Sequence, residues 1–166
     1  VKRRYGAKKI FIIDWDVHHG NGTQEIFYDD PTVLYFSTHQ HPCYPGTGSR
    51  QECGHGRGAG LTINVPLPAG SGDEELIRAF QDALFPMALD FKPELIFISA
   101  GFDAHRDDPL AGLHATEAGY RRLTELVLEI AKICCPGRIV SVLEGGYNLT
   151  ALGRSVEAHL RAMVTW

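Results

Sequence analysis

The sequence is short of the features that most readily announce a function. Positive charge is in deficit, with 16 Lys and Arg against 20 Asp and Glu for a net charge of −4, so no basic surface offers itself to nucleic acid. No apolar run approaches the roughly 20 residues of a membrane helix, so no membrane partner is expected. No signal-peptide pattern opens the chain, and the expected location is cytoplasmic. Cysteines number only four. Cys43 and Cys53 flank a loop, Cys134 and Cys135 are adjacent, and none forms a CxxC pair, which argues for free or buried thiols over a disulfide framework or a zinc knuckle. Internal repeats and low-complexity tracts are absent. The glycine series Gly54 to Gly60 precedes a strand pattern and lacks the Lys-Ser/Thr ending of a phosphate loop, so a flexible connection is expected there.

What is present is an alternation. The 166 residues suit one domain. Five apolar runs read as strands, at 9–14, 33–37, 61–65, 94–100 and 138–143. Several are almost unbroken in Ile, Val, Leu and Phe, the pattern of strands covered on both faces. Between them lie helical patterns. In 73–91, Leu76, Phe80, Leu84, Met87 and Phe91 share one face and Pro86 predicts a kink. Segment 116–134 opens on an N-capping Thr116, and 150–163 repeats the spacing with Leu152, Val156, Leu160 and Met163. Strands alternating with helices predict an α/β domain with a mainly parallel sheet. The longest irregular stretch, 39–60, is rich in Gly, Pro and His, and loops that long are more often functional than idle.

Open parallel sheets bind ligands beyond the carboxyl ends of their strands. Three of these ends carry unusual chemistry. The first run ends in Asp14-Trp-Asp-Val-His18, whose two-residue spacing puts Asp14, Asp16 and His18 on one side of an extended chain. The fourth is followed by Asp103. The fifth leads into Glu144-Gly-Gly-Tyr147, where two glycines let backbone approach a ligand. Taken singly, Asp103 is a cap, the histidines are structural and Tyr147 is packing. Taken together, Asp16, His18 and Asp103 make a three-ligand set of the kind catalytic zinc uses, with a fourth position left open. Zinc in such a site lowers the pKa of its water towards about 7 and polarises a carbonyl, while Tyr147 is placed to donate a hydrogen bond to the developing oxyanion.

The motifs Asp14-Trp-Asp-Val-His-His-Gly-Asn-Gly-Thr23, Tyr44-Pro-Gly-Thr-Gly48, Ser99-Ala-Gly-Phe-Asp103, Asp108-Pro109 and Glu144-Gly-Gly-Tyr-Asn148 resemble the zinc-dependent histone deacetylases. The likeness is strongest to the class II type and its bacterial relatives, the deacetylase-like and acetylpolyamine amidohydrolases, and spans essentially the whole chain. It implies an arginase-like three-layer α-β-α fold whose sheet, in this chain, keeps the last five family strands side by side. It implies one zinc per chain on Asp16, His18 and Asp103, Tyr147 as the carbonyl-polarising residue, and an acetylated lysine peptide or acetylated amine as substrate. A structural potassium ion is implied at Asp14, Ser37 and Thr38 together with Asp16 and His18. Tyr44 falls at a wall of the acyl-lysine channel. Leu110 falls at a rim position where polyamine-selective members carry an acid, which favours acyl-lysine substrates.

The resemblance also sets expectations about what this chain lacks. Family members are about twice as long, and their amino-terminal half supplies a tandem His pair that acts as general base and acid. His18-His19 is no substitute, since His18 is committed to metal, and His39, His41 and His55 are not expected to take the role. The chain, which opens at Val1, therefore reads as the carboxy-terminal portion of a deacetylase, weakly active or inactive alone. Its fifth strand is expected to be a bare edge, which predicts a homo-oligomer or a complex with the missing half. Two other readings remain. Asp103-Ala-His-Arg-Asp107 has the spelling of a ureohydrolase with a binuclear manganese site, and the chain is alternatively a non-catalytic metal-binding or oligomerising remnant.

Overall fold

The computed structural model describes residues 1–165 and contains one five-stranded parallel sheet. Its strands are β1 (Ile10–Asp14), β2 (Val33–Gln40), β3 (Thr62–Leu67), β4 (Leu95–Ala100) and β5 (Ile139–Leu143), in the spatial order β3-β2-β1-β4-β5. That is the contiguous half-sheet that the family resemblance implied. β1 lies at the centre, paired in parallel to β2 on one side and β4 on the other, so Asp14 sits level with both Ser37 and Ser99. Ala100 of β4 is level with Leu143 of β5. The carboxyl ends of β1, β4 and β5 are therefore neighbours at one height, which is what brings the three chemical motifs together.

One face is sealed by helices: α3 (Asp73–Ala79), a π-helical turn (Phe80–Leu84), α4 (Phe85–Phe91), α5 (Glu117–Cys134) and α6 (Leu149–Val164). Phe11, Ile13, Trp15, Phe36, Ile96 and Ile98 bury themselves against Phe80, Leu84, Leu123 and Val127. α2 (Asn21–Phe27) packs near β2, and a single turn, α1 (Lys2–Tyr5), precedes β1. Burial on both faces holds for β1 and β2. It fails for β4, where inward Ile96, Ile98 and Ala100 alternate with half-buried Leu95, Phe97 and Ser99. On β5, an edge strand, Val140, Val142 and Leu143 are exposed. Apolar sequence there marks a strand without telling whether both of its faces are covered.

The kink expected at Pro86 takes the form of the π turn just before it. Proline lacks an N–H for the carbonyl four residues back, so the ladder widens, and the Phe85 N–H reaches Phe80 O instead. α5 is capped as expected, with Thr116 Oγ1 accepting the Gly119 N–H. α6 begins one residue earlier than its spacing suggested, because Asn148 Oδ1 accepts the N–H groups of Thr150 and Ala151. A buried histidine ties these helices to the edge. Thr124 Oγ1 donates to the Tyr120 carbonyl, so it must accept from His159 Nδ1 at 2.7 Å, leaving Nε2 to accept from Ser141 Oγ on β5. Burial holds this imidazole neutral, its pKa lowered to about 4.

Within the glycine series, Gly54, Gly56 and Gly60 adopt positive φ, while Gly54, Gly56 and Gly58 are also closely approached by neighbouring atoms. A Cβ on Gly58 would fall 2.6 Å from the Tyr28 carbonyl oxygen, so glycine is there for proximity to the end of α2. The four cysteines are free. Among the described residues no helix is long and apolar enough to cross a membrane.

Candidate metal centre

After β1 the chain bends, and the next residues are arranged by carboxylates. Asp14 Oδ1 accepts the Asp16 N–H at 3.1 Å, and Asp16 Oδ1 accepts the His18 N–H at 2.9 Å. Asp103 Oδ1 reaches across from the end of β4 to accept the Val17 N–H at 2.8 Å, and the Gly145 N–H beyond β5 donates to Asp16 Oδ2 at 3.0 Å. Each acid thus spends lone pairs on backbone that fixes the others. His18 Nδ1 ends up 3.1 Å from Asp16 Oδ1 and 3.3 Å from Asp103 Oδ2. One ligand atom from each of the three residues lies within 4.8 Å of the other two.

The electrostatics of this cluster fit a cation. Asp103 is fully buried and its Oδ2 has no hydrogen-bond partner. Burial, reinforced by the neighbouring Asp16 carboxylate, pushes the Asp103 carboxyl up to about 7. Burial followed by repulsion from Asp16 and Glu144 also raises Asp14 well above the carboxylate range. A buried carboxylate oxygen with no donor, beside an imidazole nitrogen and a second carboxylate, is the donor set of a divalent transition metal, and two oxygens with one nitrogen suit zinc.

The cluster sits under an open cavity of about 530 Å³ whose lining includes Asp16, His18, Tyr44, Leu110, Glu144 and Tyr147. The expected ligands, channel wall, rim residue and phenol are therefore brought together. Tyr44 presents its ring edge-on to His18, with centroids 6.1 Å apart. Tyr147, 52% exposed, has a phenol pKa raised by partial burial and then by the negative charge of Asp103, Asp16 and Asp108. The residues expected around potassium are also adjacent, but their side chains are differently engaged. Asp14 Oδ2 accepts the Tyr35 hydroxyl at 3.1 Å instead of joining Asp16 and His18 on one side. Ser37 Oγ is bonded to His39 Nδ1 at 2.9 Å, and Thr38 Oγ1 is buried without a partner.

His19, His39 and His55 are each engaged by other partners, and His41 is exposed and is not among the residues lining the cavity. Asn64 Nδ2 and His19 Nε2 both donate to Gln24 Oε1, and His19 Nδ1 accepts from Thr47. Burial lowers the His19 pKa. His39 bridges Ser37 and the Gly48 carbonyl, with a pKa lowered by burial to about 4. His55 stacks on Tyr28, away from the cavity. Glu52 closes this network. Burial alone would raise its pKa, but the Ser49 N–H, the Gln24 amide and the Gly48 N–H outweigh that and bring it down to about 2. Nothing local in sequence marks Gln24, Asn64 or Glu52 as partners of His19. Asp108 was visible only as part of an Asp-Pro motif, yet it accepts the N–H groups of both Tyr147 and Leu110.

Comparison with known proteins gives a consistent result. The histone deacetylase domain family matches residues 1–163. "Histone deacetylase 14, chloroplastic" of Arabidopsis thaliana is 50% identical over 163 residues, which are 98% of this chain and 38% of that protein. A "Probable deacetylase" of Archaeoglobus fulgidus is 49% identical over 146 residues, 88% of this chain and 41% of its own length. Among solved structures, the HDA15 HD domain superposes with a TM-score of 0.91 at 45% identity, and the histone deacetylase Clr3 with 0.93 at 41%, covering 46% and 28% of those chains. The chain thus spans less than half the length of these relatives.

Proposed function

The chain belongs to the histone deacetylase family, and we propose that Asp16, His18 and Asp103 hold one zinc ion for hydrolysis of an acetyl amide, on an acetylated lysine peptide or a related acylated amine. The observation that carries this reading is the unpartnered, buried Asp103 Oδ2 facing His18 Nδ1 beneath the cavity that Tyr147 lines. When bound, the ion supplies Lewis acidity toward a carbonyl and acidifies water. The chain's own residues do the rest. The Val17 and Gly145 N–H groups each hold one oxygen of a ligand carboxylate, leaving the other oriented. The Tyr147 hydroxyl donates a hydrogen bond to the substrate carbonyl oxygen as it gains negative charge. Tyr44 and Leu110 flank the amine-bearing stem.

Tyr147→Phe is expected to keep about one zinc per chain, leave KM within about threefold and lower kcat about 10²-fold, the cost of one oxyanion donor. Metal analysis with turnover of a fluorogenic acetyl-lysine peptide reads both. Two bound manganese ions would instead support the ureohydrolase alternative. Against that alternative, Asp107 Oδ2 approaches His105 Nδ1 at 3.9 Å rather than joining the Asp16–His18–Asp103 group. Zinc without turnover in any setting would favour the non-catalytic reading. Because His19 is neutral and engaged on both nitrogens, we propose that the 166 residues alone hydrolyse slowly, by the 10²–10⁴-fold that general acid–base catalysis contributes. A potassium ion at the Asp14–Ser37–Thr38 turn, reached through backbone oxygens, would be structural.

The β5 edge supports an association. Val142 is 49% exposed beside an unpaired backbone edge, so the chain pairs there with a second copy or with a polypeptide supplying a strand. Size-exclusion chromatography with light scattering is expected to show an oligomer that Val142→Lys converts to monomer. A wild-type monomer would end this proposal.

A further inference from the structure

We propose that Asp108 is a positioning residue: its single buried carboxylate holds the backbone of Tyr147 and of Leu110 together, so the phenol and the rim of the cavity are set as one unit. The proposal rests on the deacetylase reading for what Tyr147 does, and on geometry alone for what holds it.

Tyr147 and Leu110 project into the cavity with 52% and 59% of their surface exposed, so packing does little to place either side chain. Backbone must do it. Asp108 is only 8% exposed. Its Oδ2 accepts the Tyr147 N–H at 2.8 Å and its Oδ1 accepts the Leu110 N–H at 3.0 Å, so the two oxygens serve two segments 37 residues apart in number. Hydrogen bonds to an ionised acceptor are short and strong, and these replace water that the buried carboxylate has lost. The carboxylate is itself held stiffly. The Asp108 N–H donates to the His105 carbonyl, and His105 Nδ1 accepts the Asp107 N–H, with Nε2 lying 3.5 Å from Glu117 Oε2. Tyr147's neighbours are tied to the same supports. Asn148 Nδ2 donates to the Asp107 carbonyl, the Gly145 carbonyl accepts the Phe102 N–H, and the Gly145 N–H reaches Asp16. Between these ties Tyr147 has one anchor of its own, and it is shared with the rim.

Asp108→Asn separates this from a general packing role. The amide has one acceptor oxygen, so either Leu110 or Tyr147 faces an NH₂ donor. In the zinc-loaded chain, amide exchange at one or both positions is expected to quicken at least about tenfold while α5 amides keep their wild-type rates. Zinc stoichiometry stays at one. On the acetyl-lysine peptide kcat falls about tenfold, and the same change in the Tyr147→Phe background causes no further fall, since the loss acts through the phenol. In the wild type, scalar coupling across the hydrogen bonds from the Tyr147 and Leu110 nitrogens to Asp108 Cγ is expected, and this reads out even should the variant not fold. Missing couplings, unchanged exchange in a folded variant, or an equal kcat loss in the Tyr147→Phe background would each overturn the proposal. A wild type that binds no zinc would defeat the deacetylase reading while leaving the couplings and exchange rates to decide the role of Asp108.

Discussion

Asp103→Asn is expected to abolish zinc binding and yet to stabilise the metal-free chain at neutral and alkaline pH. Burial, with Asp16 alongside, raises the Asp103 pKa to about 7 from an ordinary 3.8. Between those values the folded chain retains a proton that the unfolded chain has lost. Stability therefore falls as pH rises through that window, and the penalty is complete above the folded value. Raising this carboxyl from 3.8 to about 7 costs the ionised folded chain at most about 4 kcal/mol, and about half of that is the expected effect. Asparagine carries no such penalty. Its oxygen can still accept the Val17 N–H, and its NH₂ would lie where Oδ2 now has no donor.

In chelator at about pH 8 the variant should melt about 5 °C above wild type. The two should nearly converge at about pH 4, close to the unfolded value of 3.8, where most of the penalty has gone. Zinc reverses the order. An ion that binds only the folded wild type stabilises it by about 2.7 kcal/mol at a hundredfold excess over Kd, and the variant gains nothing. Calorimetric melting curves with and without zinc, at both pH values, make the check. A variant that melts below wild type in chelator would show that the buried carboxylate is not strained, and the argument for a cation there would lose its electrostatic half.

How far the sequence could lead follows from the range of each signal. Strand and helix identity are local, and apolar period exposed all five strands. The meeting of Asp16, His18 and Asp103 was legible because it needs only strand order and the rule that ligands gather past carboxyl ends; parallel register then levels Asp14 with Ser99. The His19–Gln24–Asn64–Glu52 network was not legible, since its partners lie 28 and 40 residues apart and any polar residue on those loops would have looked alike. The π turn was read only as a kink, because proline announces a missing donor but not how the preceding turn absorbs it. The glycines of 54–60 were read as a flexible connection, and the close approach at Gly58 was not legible, since sequence does not distinguish a glycine chosen for freedom from one chosen for space.

That distinction decides the role of Gly145. The sequence suggested that the pair Gly145-Gly146 lets backbone approach a ligand; the structure shows that at Gly145 the approach is to the metal ligands. A Cβ there would overlap Asp103 Oδ2, and would lie 2.6 Å from Asp16 Oδ2 and 2.7 Å from Asp103 Cγ. Neither carboxylate can retreat freely. Asp103 Oδ1 is held by the Val17 N–H, and Asp16 Oδ2 by the Gly145 N–H itself. Gly145→Ala must therefore either push the β5–α6 connection outward, carrying Tyr147 with it, or turn the ligand carboxylates away from His18. Both routes damage the same site. Second-layer disruptions of metal sites typically cost 10–100-fold in affinity, and displacement of two ligands at once should reach or exceed about 100-fold. The core lies on the helix-covered face of the sheet, so the melting temperature of the metal-free variant should fall by no more than about 5 °C. Leu152 closes in on Gly146 rather than on Gly145, and Gly146 has a φ of 142°, so alanine at 146 would act through backbone strain. Comparing the two alanine variants by competitive zinc titration separates the mechanisms. Gly145→Ala should lose zinc while staying folded, and Gly146→Ala should lose stability with zinc affinity less affected. Equal zinc affinity in wild type and Gly145→Ala would mean that Asp16 and Asp103 do not converge on one ion.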